Sequence, residues 1–311
     1  MALQQNGFVF DESRLRAVFY ARRGQYEAAL APERRAIVIG AGLAGSSAAE
    51  RLAARGWTIE LIERADAPAQ GASGNLAGVL RPLPSVDDNR LARLTRAGFL
   101  EACRHFASLT AAGLPLRWAQ TGVLHLARDD THAATQQRVV EVQQPAADYL
   151  RFVDRGEASQ LAGWPVTHGG WWFPGGGWVD PASLCRANIA RHAVAIKAHY
   201  GCQVVEIERR AGLWRAYADG GAVIAEAPVL ILANATDAGR FTVAAHLPLR
   251  AARGQVSHLP AAAGSAPDIV VCRLGYVTPA IDGLRCAGAT FSIDDGETTL
   301  RTADHAENLA R

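Results

Sequence analysis

Three glycines and one carboxylate carry the most specific chemistry in the 311-residue chain: Gly40-x-Gly42-x-x-Gly45, and Glu63. An apolar run at 36–39 precedes the glycines, the stretch SSAAERLAARG follows them, and a second apolar run at 58–62 ends at Glu63. A short continuous apolar run suits a strand buried on both faces. Gly40 lets the chain turn sharply out of that strand, Gly42 keeps side chains away from a pyrophosphate, and Gly45 lets helix and strand pack closely. The phosphates then sit on the backbone N–H groups where Leu43 and Ala44 open the helix. A carboxylate at Glu63 can accept hydrogen bonds from an adenosine ribose. Strand, glycine loop, helix, second strand and terminal acid together predict a dinucleotide site.

Glu63 would repel a 2′-phosphate, and Arg64 alone does not reverse that, so FAD or NAD fits better than NADP. The next stretch, PAQGASGNLAGVL at 68–80, is rich in Gly, Ala and Ser. A plain nicotinamide dehydrogenase would bring another strand–helix unit sooner. A small-residue segment suits a backbone running along the ribitol and ring of an extended flavin.

The elements that position these groups can be read from the rest of the chain. With 49% hydrophobic residues it can bury a sizeable core and is expected to make two lobes. No apolar run reaches the ~18 residues that span a bilayer, and MALQQNGFVFDESR lacks the apolar core of a signal peptide, so a cytoplasmic location is expected. Five cysteines, widely spaced and without a CxxC pair, read as reduced core thiols, and no metal site is expected. Net charge is only +2 and gives no sign of nucleic acid. Every basic residue but Lys197 is arginine, which suits phosphate contacts and base stacking but fits a GC-rich coding bias better.

Residues 1–35 are polar and Arg-studded with one weak helical segment, and read as a linker or tail. Residues 87–112 have helical spacing through Leu91, Leu94, Phe99 and Phe106 and read as a surface helix. The alternation in QTGVLHLA at 120–127 predicts a strand, with His125 a partly buried strand residue rather than a base. The block GWPVTHGGWWFPGGGWVDP at 163–181 excludes a helix by its Pro and Gly content. Its tryptophans can form a wall beside a flavin, a stacking platform for bases, or a plug of core between lobes. Asp180-Pro181 predicts a helix start, 203–208 with 214–218 a strand pair, and 229–233 another buried strand that ends in small residues.

The segments GAGLAGSSAAERLAARGW (40–57), GASGNLAGVL (71–80), GGGWVDPASL (175–184), RGQVSH (253–258) and GYVTPAIDGLRCAGATF (275–291) as a set resemble the D-amino-acid oxidase superfamily of flavoproteins. More closely, they resemble the C-terminal oxidoreductase domain of the bifunctional tRNA 5-methylaminomethyl-2-thiouridine biosynthesis family. The resemblance implies an α/β (α+β) fold: a Rossmann-like FAD lobe of residues 35–110 and 178–240, and a substrate lobe with a mixed or antiparallel sheet of residues 111–177 and 241–311. It implies residues 1–34 as a linker or remnant of a preceding methyltransferase domain, since ALQQNGF looks like that domain's last helix.

By the same resemblance, Gly40, Gly42, Gly45 and Glu63 hold the adenine-nucleotide half of FAD, and Ala72, Ser73, Gly74 and Asn75 run beside the pyrophosphate, ribitol and ring. Val204 approaches the adenine, and Ala233 with Asn234 lies near the pyrophosphate. Tyr276 matches a position that reaches a substrate carboxylate; the alternative is a ring packed in the substrate sheet. The implied reaction removes the carboxymethyl group of 5-carboxymethylaminomethyl-(2-thio)uridine at the tRNA wobble position, with a methyltransferase acting in cis or in trans. The superfamily closes with a segment carrying a carboxylate-clamping Arg, and the chain ending DHAENLAR is expected to lack it and so to be truncated. Oxidation of free glycine, sarcosine or D-amino acids, or a non-catalytic remnant binding tRNA or a partner, are the alternatives.

Overall fold

The computed structural model describes residues 8–11, 16–19, 33–262 and 264–311. Residues 1–34 and 35–311 form two separate compact units. In the first, Phe8–Asp11 and Arg16–Phe19 pair as antiparallel strands, with Phe8 opposite Phe19. The described residues of this unit include no helix, and ALQQNGF lies outside them up to residue 7.

The second unit is built on a four-stranded parallel sheet in the order Ile196–His199, Thr58–Ile62, Arg35–Ile39, Val229–Leu232. Alternation of side chains along Arg35–Ile39 explains why its apolar run is continuous, since each face meets a different layer. Ala36 and Val38 join Ile59, Leu61 and Ile196 against Ala49 and Ala53 of the helix Leu43–Ala53. Ile37 and Ile39 face the other way, onto Ala216, Ala225 and Ala227 of an antiparallel sheet formed by Glu206–Arg210, Leu213–Tyr217 and Val223–Ala227. The helix Pro181–Arg191 begins where Asp180-Pro181 predicts, with Asp180 Oδ1 accepting the Ser183 N–H at 3.0 Å.

A seven-stranded mixed sheet runs in the order Val256–Pro260, Leu284–Gly288, Tyr276–Val277, Val270–Cys272, Val123–Leu126, Gly170–Phe173, Arg151–Val153. Only Val270–Cys272 and Val123–Leu126 are parallel neighbours. One face carries Val123, Trp171, Phe173, Val270, Cys272 and Tyr276. The opposite face carries Leu124, Leu126, Val153 and Val271 under the helix Arg155–Ala162. A three-stranded sheet of Gly78–Leu80, Gly177–Val179 and Trp118–Ala119 sets Trp178 opposite Val79.

The tryptophan block therefore divides its work. Trp171 is core, donating its indole N–H to the Gln136 carbonyl at 2.9 Å. Trp178 packs beside Leu76, Ala77 and Tyr276, and Trp164 is 37% exposed.

His125 lies opposite Trp171, its Nδ1 buried without a partner. Burial first, then the charge of Arg81 and the neighbouring His132 and Arg128, pushes its pKa from 6.5 down to about 3. The imidazole is thus neutral in the folded protein, while an unfolded chain takes up its proton below about 6.5. Stability from this group is complete above that pH and is lost as pH falls toward 3, by up to about 1.4 kcal/mol per pH unit. Urea midpoints measured at pH 7.5 and 5 should fall by less in His125→Phe than in the parent; an equal fall would mean that His125 titrates freely when folded.

Candidate dinucleotide and substrate site

The glycine loop is built by close approach. Gly40 leaves its strand at φ +102°, and a Cβ there would sit 2.6 Å from the Ala233 carbonyl oxygen. A Cβ on Gly45 would sit 1.8 Å from the Gly40 carbonyl oxygen, so the helix can start this close to the strand only with glycine. Gly42 is the N-cap and brings no side chain to the helix N-terminus. In its place the Ser73 hydroxyl accepts the Leu43 N–H at 3.0 Å from across the cleft.

Glu63 fastens this loop to the second strand. One carboxylate oxygen accepts the Ala41 N–H at 2.8 Å and the other the Ala65 N–H at 3.0 Å. Its backbone N–H donates to the His199 carbonyl at 2.8 Å, and its carbonyl accepts the Cys202 N–H at 2.9 Å. Each carboxylate oxygen keeps acceptor capacity for a ligand hydroxyl. Arg64 turns to Asp237 at 2.8 Å in an ion pair open to solvent, so its charge is answered locally.

A cleft of about 570 Å³ opens over these groups. Of the residues singled out from sequence, Gly40, Gly42, Glu63, Arg64, Ala72, Ser73, Val204, Ala233 and Asn234 line it. Leu43, Ala44, Gly45, Gly74 and Asn75 lie outside its lining; Gly45 is buried against Gly40, and Asn75 donates to the Ala72 carbonyl at 3.4 Å on the surface. Gln70 and Gln203, which lie inside the stretches 68–80 and 203–208, line it as well, as do Thr236 and Phe241, which carry no motif that would have marked them. Asn234 Oδ1 is buried there without a hydrogen-bond partner, an acceptor that a ligand hydroxyl would satisfy. A side-chain-free helix N-terminus for phosphates, a carboxylate for a ribose and an orphaned acceptor fit FAD.

The segment 72–80 leads from this cleft to a second group of residues. Ser73 lines the cleft, while Leu76 and Ala77 pack with Trp178, Cys286 and Tyr276. The register sets Tyr276 beside Cys272, and Cys272 beside His125, on one face of the large sheet. Burial, with Cys286 and Cys272 nearby, pushes the Tyr276 phenol from 10.0 up to about 12, so it remains a neutral donor. His125, its pKa lowered to about 3, is too weakly basic to hold a proton near neutral pH, and the Tyr276 phenol keeps its own. Arg81 follows the strand Gly78–Leu80, and its charge acts on both His125 and Cys272. Its guanidinium donates to the Pro82 carbonyl at 3.2 Å, and among the described residues no carboxylate pairs with it. No motif marked Arg81; its position one residue beyond GASGNLAGVL was the available signal.

The chain is 61% identical over 283 residues to the tRNA 5-methylaminomethyl-2-thiouridine biosynthesis bifunctional protein MnmC of Aromatoleum aromaticum, covering 91% of this chain and 44% of that protein. It is 58% identical to the MnmC protein of an Azoarcus species, covering 94% of this chain and 46% of that one. It thus spans a little under half the length of these relatives. Glycine oxidase from Geobacillus kaustophilus has the same fold, with a TM-score of 0.75 at 18% identity over 89% of this chain and 77% of that one. Iminodiacetate oxidase from Chelativorans sp. BNC1 superposes with a TM-score of 0.71 at 23% identity, over 88% of this chain and 77% of that one. Residues 35–311 match the family described as FAD dependent oxidoreductase, DAO, and the chain belongs to that family, with FAD as its cofactor.

Proposed function

We propose that the chain oxidatively removes the carboxymethyl group from 5-carboxymethylaminomethyl-(2-thio)uridine at the wobble position of tRNA, leaving the 5-aminomethyl nucleoside. The likeness to the bifunctional MnmC proteins supports the substrate class. The observation that carries the chemistry is that Arg81, which pairs with no carboxylate among the described residues, acts on Cys272 and His125, and Cys272 is the register neighbour of Tyr276, a neutral phenol.

The modification is a glycine whose nitrogen bears the nucleoside. FAD, when bound, supplies a two-electron acceptor for the C–H bond beside that nitrogen, and hydrolysis of the substrate imine then releases glyoxylate and the free amine. In this reading the protein orients. Arg81 holds the substrate carboxylate, Tyr276 donates a hydrogen bond to it, and the walls of Trp178, Cys272 and Cys286 keep water from the amine. Gly40, Gly42, Ser73 and Asn234 hold the cofactor's phosphates and sugar hydroxyls, Glu63 its ribose, and Val204 its adenine. A tRNA substrate places the reaction in the cytoplasm, and the methyltransferase that acts on the product is covalently joined or separate.

Mass analysis of nucleosides from hypomodified tRNA incubated with the FAD-loaded protein should show loss of the carboxymethylaminomethyl nucleoside. Unchanged tRNA alongside oxidation of free glycine would favour the amino-acid oxidase reading. For the cofactor, Glu63→Ala should weaken FAD binding by about 1–3 kcal/mol if the lost bonds are charge-assisted. Gly42→Val should reduce flavin content further, and unchanged flavin absorbance in purified Gly42→Val would remove the assignment. For the substrate, Arg81→Met should raise KM by a factor corresponding to about 1.5–3 kcal/mol with flavin content unaltered. Tyr276→Phe should lower activity without altering the pH profile below about pH 11, because the phenol's pKa lies near 12. An Arg81→Met enzyme with parental KM would move the carboxylate anchor elsewhere.

A further inference from the structure

The dinucleotide cleft is crossed by an ion bridge. Ile62, Ile39 and Leu232 stand in one row at the carboxyl ends of three neighbouring parallel strands, with Ile39 in the middle. Directly after Ile39 the chain enters the glycine loop at Gly40. Arg64 follows the strand on one side and Asp237 the strand on the other. Two strand spacings separate those outer strands by about 10 Å. The side chains nevertheless meet, Arg64 Nη1 to Asp237 Oδ2 at 2.8 Å, so the pair spans the end of the middle strand, where the loop begins.

The bridge is braced on one side. Asp237 gives its other carboxylate oxygen to Arg240 Nε at 3.2 Å, within the short 3₁₀ helix Ala235–Arg240. Arg64, Asp237 and Arg240 all line the cleft, as do Gly42 and Glu63. Among the described residues, no other ion pair joins two residues of this lining.

Its exposure limits what the bridge can do for affinity. The Arg64 side chain is 62% exposed and that of Asp237 31%, and such a pair is weak and screened by salt. Its position gives it a different effect. A contact that is made both before and after loading, but has to break while the ligand passes, slows entry and exit alike without strengthening the complex. A carboxylate that answers two arginines beside a phosphate site also lowers the positive field there, which is the reverse of a device for tight binding.

We propose that the Arg64–Asp237 bridge is a strap over the adenosine half of FAD, opening for the cofactor to pass and closing again behind it. The inference rests on the placement of FAD in this cleft and is independent of the tRNA reading.

The test is the rate of FAD release from the loaded protein, followed as the rise in free flavin fluorescence after dilution, at low and at high salt. Asp237→Asn and Arg64→Gln should each speed release about two- to fivefold, the range open to an exposed ion pair. High salt should speed release from the parent and leave release from the two variants nearly unchanged. The two substitutions change the charge of the cleft in opposite directions, which separates a strap from a field. A purely electrostatic hold on the pyrophosphate predicts slower release from Asp237→Asn, where two arginines lose their partner, and faster release only from Arg64→Gln. Slower or parental release from Asp237→Asn would therefore overturn the strap while leaving FAD in the cleft. Flavin content unchanged in Gly42→Val would instead remove the placement of the cofactor, whatever the release rates.

Discussion

The architecture depends on how closely the glycine-loop helix approaches the first strand. With 1.8 Å between a hypothetical Gly45 Cβ and the Gly40 carbonyl oxygen, no other residue lets Leu43–Ala53 begin where it does. That start fixes the direction of the helix N-terminus, brings Ala49 and Ala53 onto the parallel sheet, and leaves the Ala41 N–H in reach of Glu63. Glu63 then ties the loop to the end of the second strand, so the cleft floor is a backbone structure held by the Glu63 carboxylate on one side and the Ser73 hydroxyl on the other.

The nucleotide half was legible because its signals are local. Gly40, Gly42, Gly45, Glu63 and the two flanking strands lie in one stretch, where covalent spacing decides which groups meet. The strand at 229–232 was legible for a different reason: a run apolar on every residue needs apolar neighbours on both faces, and beside Arg35–Ile39 it packs on both, although as the edge strand of the sheet it is half-buried rather than buried. The Asp180-Pro181 helix start followed from cap chemistry alone.

What escaped the sequence is what distant segments assemble. Arg81 meets Cys272 and His125 only because the parallel pairing of 123–126 with 270–272 brings two far-apart strands together. Tyr276 was marked by resemblance, yet its neutrality depends on burial beside two thiols, which spacing does not encode.

Ser73 gives the cofactor cleft a property that follows from one hydrogen bond. Its hydroxyl already occupies the Leu43 N–H, the donor that an incoming phosphate oxygen would take. A phosphate oxygen placed at that atom would replace one acceptor by another, so its contribution would be only the difference between a charged and a neutral partner. The loop 72–74 thus fixes the helix N-terminus from across the cleft through a single hydroxyl.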